Sequence, residues 1–366
     1  MTPLAKLLRS CAALLAFAVA LPSAAAAPAD RLAVVATIPD LGDLVEQIGG
    51  DRVEVTVLAR SGQNLHGIRV KPSHLVATSR ADVFVQIGLA LEHAWVPGLL
   101  ETARNRAIAF DQPGFVDAGA GYRAIQVPDR LDRSQAADVH PLGNPHVHLA
   151  VDGGPLLAER ILAALVELDP DHAEEHRERH AAWLERYETA LLRWTMLAER
   201  VAAAEAEQER AFFVCQYHSE FDYLLRFLGV DVAATVEPAP GLPPTPGHLR
   251  EIDTVLREKR VQAVLTAPWS DNSTTRRVAR SVDAEVVVLS AMLREDEADL
   301  DWIASIDQRL VRIAGVFGIA PPSDEEVAER ARREARAAEA ERAGQGDDAS
   351  PPSAGRGGRA RALAGG

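Results

Sequence analysis

The stretch "GNPHVHLAVDGG" (143–154) places His146 and His148 two residues apart, directly after Pro145. His140 lies six residues before His146 in the same polar connection. A neutral imidazole offers a nitrogen lone pair to a metal ion, so crowding several in one loop points to ligation or to a solvated surface. An i, i+2 pair does not separate these readings, but partners elsewhere in the chain do. His66 stands in "NLHGIRVKPSH", His218 in "VCQYHSEFDYLL" and Asp271 in "TAPWSDNSTTRRVA". Three imidazoles and one carboxylate suit a borderline cation such as zinc, held tetrahedrally. Four protein ligands leave no open position for water, so such a site holds an ion and does not hydrolyse with it.

These residues need a scaffold, and the hydrophobic pattern supplies one. Apolar, β-branched runs occur at 32–37, 53–58, 82–88 and 123–127, and again at 211–215, 230–235, 261–266 and 284–289. Amphipathic segments alternate with them. The pattern predicts an α/β protein of two lobes, each a roughly four-stranded parallel sheet flanked by helices. Between the two sets, residues 171–208 contain no proline or glycine and repeat Trp183, Leu184, Tyr187, Leu191, Leu192, Met196, Leu197 and Val201 at helical spacing. One long rigid helix should therefore join the lobes. The predicted organisation is an N-terminal lobe over 28–170, the helix over 171–208, a C-terminal lobe over 209–320, and a helical extension fading into a tail over 321–366. His66, His146, His218 and Asp271 then all fall in loops or just beyond strand ends, the edge where open α/β sheets bind ligands. Each lobe contributes two of them to the interlobe cleft.

Residues 1–27 read as a cleaved signal peptide. Lys6 and Arg9 precede an apolar run from about Cys11 to Leu21, too short for a membrane span, and small residues follow. Export leaves Cys215 as the one cysteine of the mature chain, without an internal disulfide, and its apolar neighbours suggest a buried thiol. A formal net charge of -14 argues against nucleic acid as a partner. On the long helix, His172, His176 and His180 share one face among charged neighbours, and they read as solvated.

At the ligand positions the chain resembles the cluster A-I metal-binding receptors, the substrate-binding proteins of zinc-, manganese- and iron-type ABC importers. Their D-P-H-x-Y-x-P-x-P-S-D motif is matched by "NLHGIRVKPSH", which keeps His66 and Pro72-Ser73 but has Asn64-Leu65 for Asp-Pro and His74 for the last Asp. D-P-H-x-W is matched by "NPHVH", with His148 in the aromatic place, and the Tyr-His motif by "YHSEFDYLL". The resemblance implies His66, His146, His218 and Asp271 as ligands. It also implies a periplasmic or otherwise extracytoplasmic receptor, not an enzyme, that acts as a monomer and hands its ion to a membrane permease. In this family a His at the third ligand position accompanies zinc and a Glu accompanies manganese or iron. Zn2+ is therefore the expected cargo, with Mn2+ or Fe2+ as the alternative. A zinc-dependent hydrolase is the rival class, but neither H-E-x-x-H nor G-x-S-x-G occurs in the chain. His148 is expected to pack as the aromatic does or to orient His146, because residues two apart in an extended loop point in opposite directions.

Overall fold

A computed structural model describes residues 31–128, 140–239, 241–294 and 300–346. The signal-peptide reading of 1–27 and the end of the tail, from 347, lie outside the described residues. In the N-terminal sheet, β1 (Leu32–Ala36), β2 (Val53–Val57), β3 (Val83–Gln86) and β4 (Phe115–Asp117) run in the order β2-β1-β3-β4. In the second sheet, β5 (Phe213–Gln216), β6 (Asp231–Thr235), β7 (Ala263–Thr266) and β8 (Glu285–Val288) run in the order β6-β5-β7-β8. All six pairings are parallel. The most buried strands, such as β7, are covered on both faces, and this is why their sequences are continuous apolar runs.

The helices α1 (Pro39–Gly49), α2 (Pro72–Arg80), α3 (Val96–Ala103) and α4 (Gly153–Leu168) belong to the first half. The linking helix α5 (Ala173–Glu207) has 35 residues, about 53 Å at 1.5 Å per residue. Then follow α6 (Asp222–Leu228), α7 (Pro246–Lys259), α8 (Asn272–Ser281), α9 (Trp302–Gly315) and the extension α10 (Asp324–Gly346). Arg193 and Arg200 of α5 pair with Asp324 and Glu326, which ties α10 to the strut. Among the described residues, no helix is long and apolar enough to cross a membrane.

Two expectations are corrected. The run at 123–127 is not a strand, because Gln126 takes the left-handed conformation at φ 57 and breaks the extension. The fourth strand is instead Phe115–Asp117, whose three residues are too few for a periodic signal. The histidine face of α5 is not solvated either. His176 is fully buried, with Nδ1 3.2 Å from the Ile48 carbonyl and Nε2 3.2 Å from the Asp169 carboxylate. Asp169 also holds His172 at 2.8 Å, and the His176–Ile48 contact anchors the start of α5 to the end of α1. The charges flanking these histidines misled the sequence reading, since they line only the outer face.

An aromatic layer joins α5 to α9. Trp183 stacks on Tyr187 with ring centroids 5.6 Å apart, and Trp302 contacts both, at 5.9 and 6.4 Å. Trp194 completes the layer and donates its indole N–H to Asp307 at 3.1 Å. Trp302 fits because residue 154 is glycine: a Cβ there would lie 2.3 Å from the indole ring. Gly154→Val should therefore overpack the layer and destabilise the protein by about 1–3 kcal/mol. Urea denaturation checks this, and an unchanged midpoint would show that the layer yields freely.

Candidate metal centre

Three short devices deliver three histidines to one point. After β2 the chain turns at Asn64, whose Oδ1 accepts the His66 backbone N–H at 2.9 Å and starts a single 3-10 turn. The Trp95 indole N–H donates to the Leu65 carbonyl at 3.2 Å and fixes that turn from α3. After β4, Asn144 does double work on His146: its Oδ1 accepts the backbone N–H at 3.1 Å and faces the ring Nδ1 at 2.9 Å. His218 comes two residues after β5, with Nδ1 2.8 Å from a carboxylate oxygen of Glu237, which follows β6. The rings of His66, His146 and His218 are 4 %, 1 % and 3 % exposed, so water barely reaches the point where they meet.

The ligand nitrogens of these three residues all lie within 4.8 Å of one another. His66 Nε2 and His146 Nε2 are 3.2 Å apart, and the three ring centroids are separated by 5.1, 5.2 and 5.5 Å. Imidazole nitrogens bound tetrahedrally at about 2.0–2.1 Å would sit about 3.3 Å apart, with ring centroids about 5 Å apart. The fit is close. Asn144 Oδ1 and Glu237 each hold a proton on Nδ1 of their histidine, which turns the Nε2 lone pair inward. With His146 in that tautomer, its Nε2 accepts from His66 Nε2–H, and the lone pair of His66 Nδ1 is left without a partner.

Burial pushes the pKa of His66 and His146 well below the usual histidine value, and the neighbouring imidazoles add to the effect. Both rings are neutral and ligand-ready at physiological pH. Burial acts in the opposite sense on two carboxyls, raising Glu92 and Glu220 to about 7. Glu220 lies two residues beyond His218; its Oε2 accepts from the Trp269 indole N–H at 3.2 Å, and its Oε1 is unpartnered.

Asp271, expected as the fourth ligand, is not brought into this group. It is exposed and caps α8. Its Oδ1 accepts the Ser273 N–H at 2.9 Å and the Ser273 hydroxyl at 2.6 Å, and its Oδ2 accepts the Thr274 hydroxyl at 2.7 Å. Those bonds hold its carboxyl well below the usual range. The physical reason lies in "DNST": an Asp before a helix is drawn to the free N–H groups of the first turn. His148 stands outside the cluster, in a 3-10 turn over Val147–Leu149 and not in the extended backbone expected, and its Nε2 reaches the Ala291 carbonyl in the other lobe at 2.8 Å. His74 faces the Lys71 N–H at the start of α2, and Cys215 is a buried thiol raised to about 12. Sequence reasoning reached neither Asn144 as a positioning residue nor Glu237 as the partner of His218. Asn144 had a signal: it stands where the family motif has Asp, two residues before the ligand.

A profile of the ZnuA family, the periplasmic component A of zinc-uptake complexes, matches residues 34–316. The chain belongs to this family. ZnuA-type proteins are metal-binding receptors of ABC importers and not enzymes, and they work in the periplasm or otherwise outside the cytoplasm. The chain is 23% identical over 293 residues to the iron-binding protein YfeA of Yersinia pestis, covering 79% of this chain and 88% of that one. It is 22% identical over 299 residues to the manganese ABC transporter substrate-binding lipoprotein PsaA of Streptococcus pneumoniae, covering 78% and 88%. Among solved structures, a zinc-bound ZnuA deletion mutant superimposes with a TM-score of 0.64 at 22% identity, covering 80% of this chain and all of that one. The two four-stranded sheets and the single strut are thus the ZnuA-type fold.

The buried rings make a titration prediction. In the metal-free protein, ring proton resonances of His66 and His146 should stay at their neutral positions as pH falls through about 6.5, where a solvated imidazole is half protonated. Unfolding exposes both rings to protonation, so their contribution to stability is present above about 6.5 and lost as pH falls below it. Glu92 and Glu220 work against that trend: their protons are retained on folding up to about 7, so they favour the folded state at the lower pH. A midpoint near 6.5 for either histidine would show that its ring is open to water.

Proposed function

We propose that this receptor captures Zn2+ through His66, His146 and His218 and delivers it to the membrane permease of an ABC importer. The convergence of three buried imidazole nitrogens at near-tetrahedral spacing carries the reading. Imidazole suits zinc, whereas manganese prefers oxygen donors, so an imidazole at His218 where a carboxylate could stand tilts the site toward zinc. The second reading is Fe2+, favoured by the similarity to the iron-binding YfeA. Release to the permease must loosen bonds that cross the cleft beside the ligands. Asn144 Nδ2 donates to the Ser219 carbonyl at 2.8 Å, and the Tyr223 hydroxyl donates to the Asn144 carbonyl at 2.7 Å.

Zinc titration against a competing chelator tests the ligand set. His66→Ala, His146→Ala and His218→Ala should each lose more than the about 10–100-fold that removal of an outer hydrogen-bond partner costs. His148→Phe, which keeps the packing but gives up the Ala291 carbonyl, should stay within that range. Asp271→Ala should leave zinc affinity unchanged and cost about 0.5–2 kcal/mol of stability through the lost cap. A loss of zinc binding in Asp271→Ala equal to that in His146→Ala would restore the carboxylate to the ligand set. Metal analysis after exposure to equal zinc, iron and manganese should find about one zinc, and iron in its place would favour the second reading.

A further inference from the structure

One buried group beside the site has no use in the arrangement described so far. His140 is only 9 % exposed, and both its ring nitrogens are shielded from water without a hydrogen-bond partner. The Ala90 carbonyl lies near enough to favour its protonation slightly, but burial dominates and lowers its pKa to about 4. Each unpaired buried polar atom costs about 1–3 kcal/mol, so an apolar side chain would be the cheaper filler. Such a cost in a folded protein calls for a reason. The position of the ring supplies one: its centroid is 4.9 Å from that of His66, close to the 5.1–5.5 Å within the cluster of three.

A tetrahedral ion held by His66, His146 and His218 has one position left. Asp271 is engaged at the start of α8, and Glu237 is engaged on His218. We infer that His140 is the fourth ligand, closing an all-imidazole coordination sphere when the ion arrives. This inference rests on the zinc-receptor reading. His140 meets the His66 edge of the cluster, and its nitrogens are not within 4.8 Å of all three partners. Its ring therefore swings inward on loading, trading two unsatisfied nitrogens for one metal bond. The exposed His93, 6.1 Å from His140 and bonded through Nδ1 to the Ala90 carbonyl at 2.7 Å, continues the line of imidazoles towards solvent.

Four neutral ligands leave the ion's double charge uncancelled in the first layer. The compensation stands one layer out. Glu237 sits on His218 Nδ1 at 2.8 Å. A nitrogen-only sphere also sharpens the choice of metal, because it withholds the oxygen donors that manganese prefers. His140 is thus a specificity-determining residue as well as a ligand.

Zinc K-edge X-ray absorption tests this, since imidazole scattering counts the bound rings. The zinc-loaded wild type should show four imidazoles, and His140→Ala three with one oxygen. His140→Phe fills the same space without a donor and should match His140→Ala, and its melting temperature checks that the fold persists. Both variants should still take up one zinc, with affinity lowered by at least about tenfold, the lower end of what loss of an outer partner costs. Three imidazoles and an oxygen in the wild type, unchanged in the variants, would overturn the inference and leave the receptor reading standing. A wild type that takes up no zinc would overturn both.

Discussion

Three imidazoles must be held edge-on to one another in a space nearly closed to water, with a ring nitrogen of each turned towards the others. Most of what surrounds the site answers that constraint. Lone pairs left to themselves would seek water or protons. Burial removes the water and makes protonation unfavourable for His66 and His146. Asn144 Oδ1 and the Glu237 carboxylate, as acceptors, then choose the tautomer of His146 and His218. The result is a compact cluster of imidazole nitrogens held from behind by hydrogen bonds.

The two lobes share this task unequally. His66 and His146 come from the first sheet and His218 from the second, so the site exists only when the lobes are in register. That register is set by large, rigid parts. The 35-residue α5 spans both lobes, and its aromatic face packs on Trp302 of α9, which in turn donates to the His148 carbonyl at 2.8 Å. The His146 loop is therefore fastened to the aromatic layer two residues from His146. On the other side of the cleft, Asp40 of α1 accepts the Leu293 N–H at 2.9 Å. A strut of this kind favours small lobe and loop shifts over a wide hinge opening.

Asn144 joins the chemistry to the mechanics. Its Oδ1 sets the position of His146, its Nδ2 bonds the Ser219 carbonyl next to His218, and its own carbonyl takes the Tyr223 hydroxyl. One side chain thus contacts both halves of the site. An Asp in this place could orient the imidazole equally well but could not donate to Ser219. The amide, unlike a carboxylate, can bond in both directions.

Seven of the eight strands and the long helix were legible in the sequence, because continuous apolar runs and uninterrupted helical periodicity are local signals. The three histidines were legible as well, since each is tied to a strand end or a motif that a reader can count along the chain. What the sequence could not decide depended on competing partners. Asp271 had the right chemistry for a ligand, yet the helix start three residues wide around it offered four hydrogen bonds. His176 looked solvated beside its charged neighbours, but α1 covers that face. β4 is only three residues long and takes its identity from pairing with β3. His140 was visible only as a lone histidine, and only the folded chain places it 4.9 Å from His66 with both nitrogens unpaired. Residue type and local spacing determine which groups can bind a cation, whereas tertiary packing decides which are free to do so, because hydrogen bonds and burial are settled by neighbours distant in sequence.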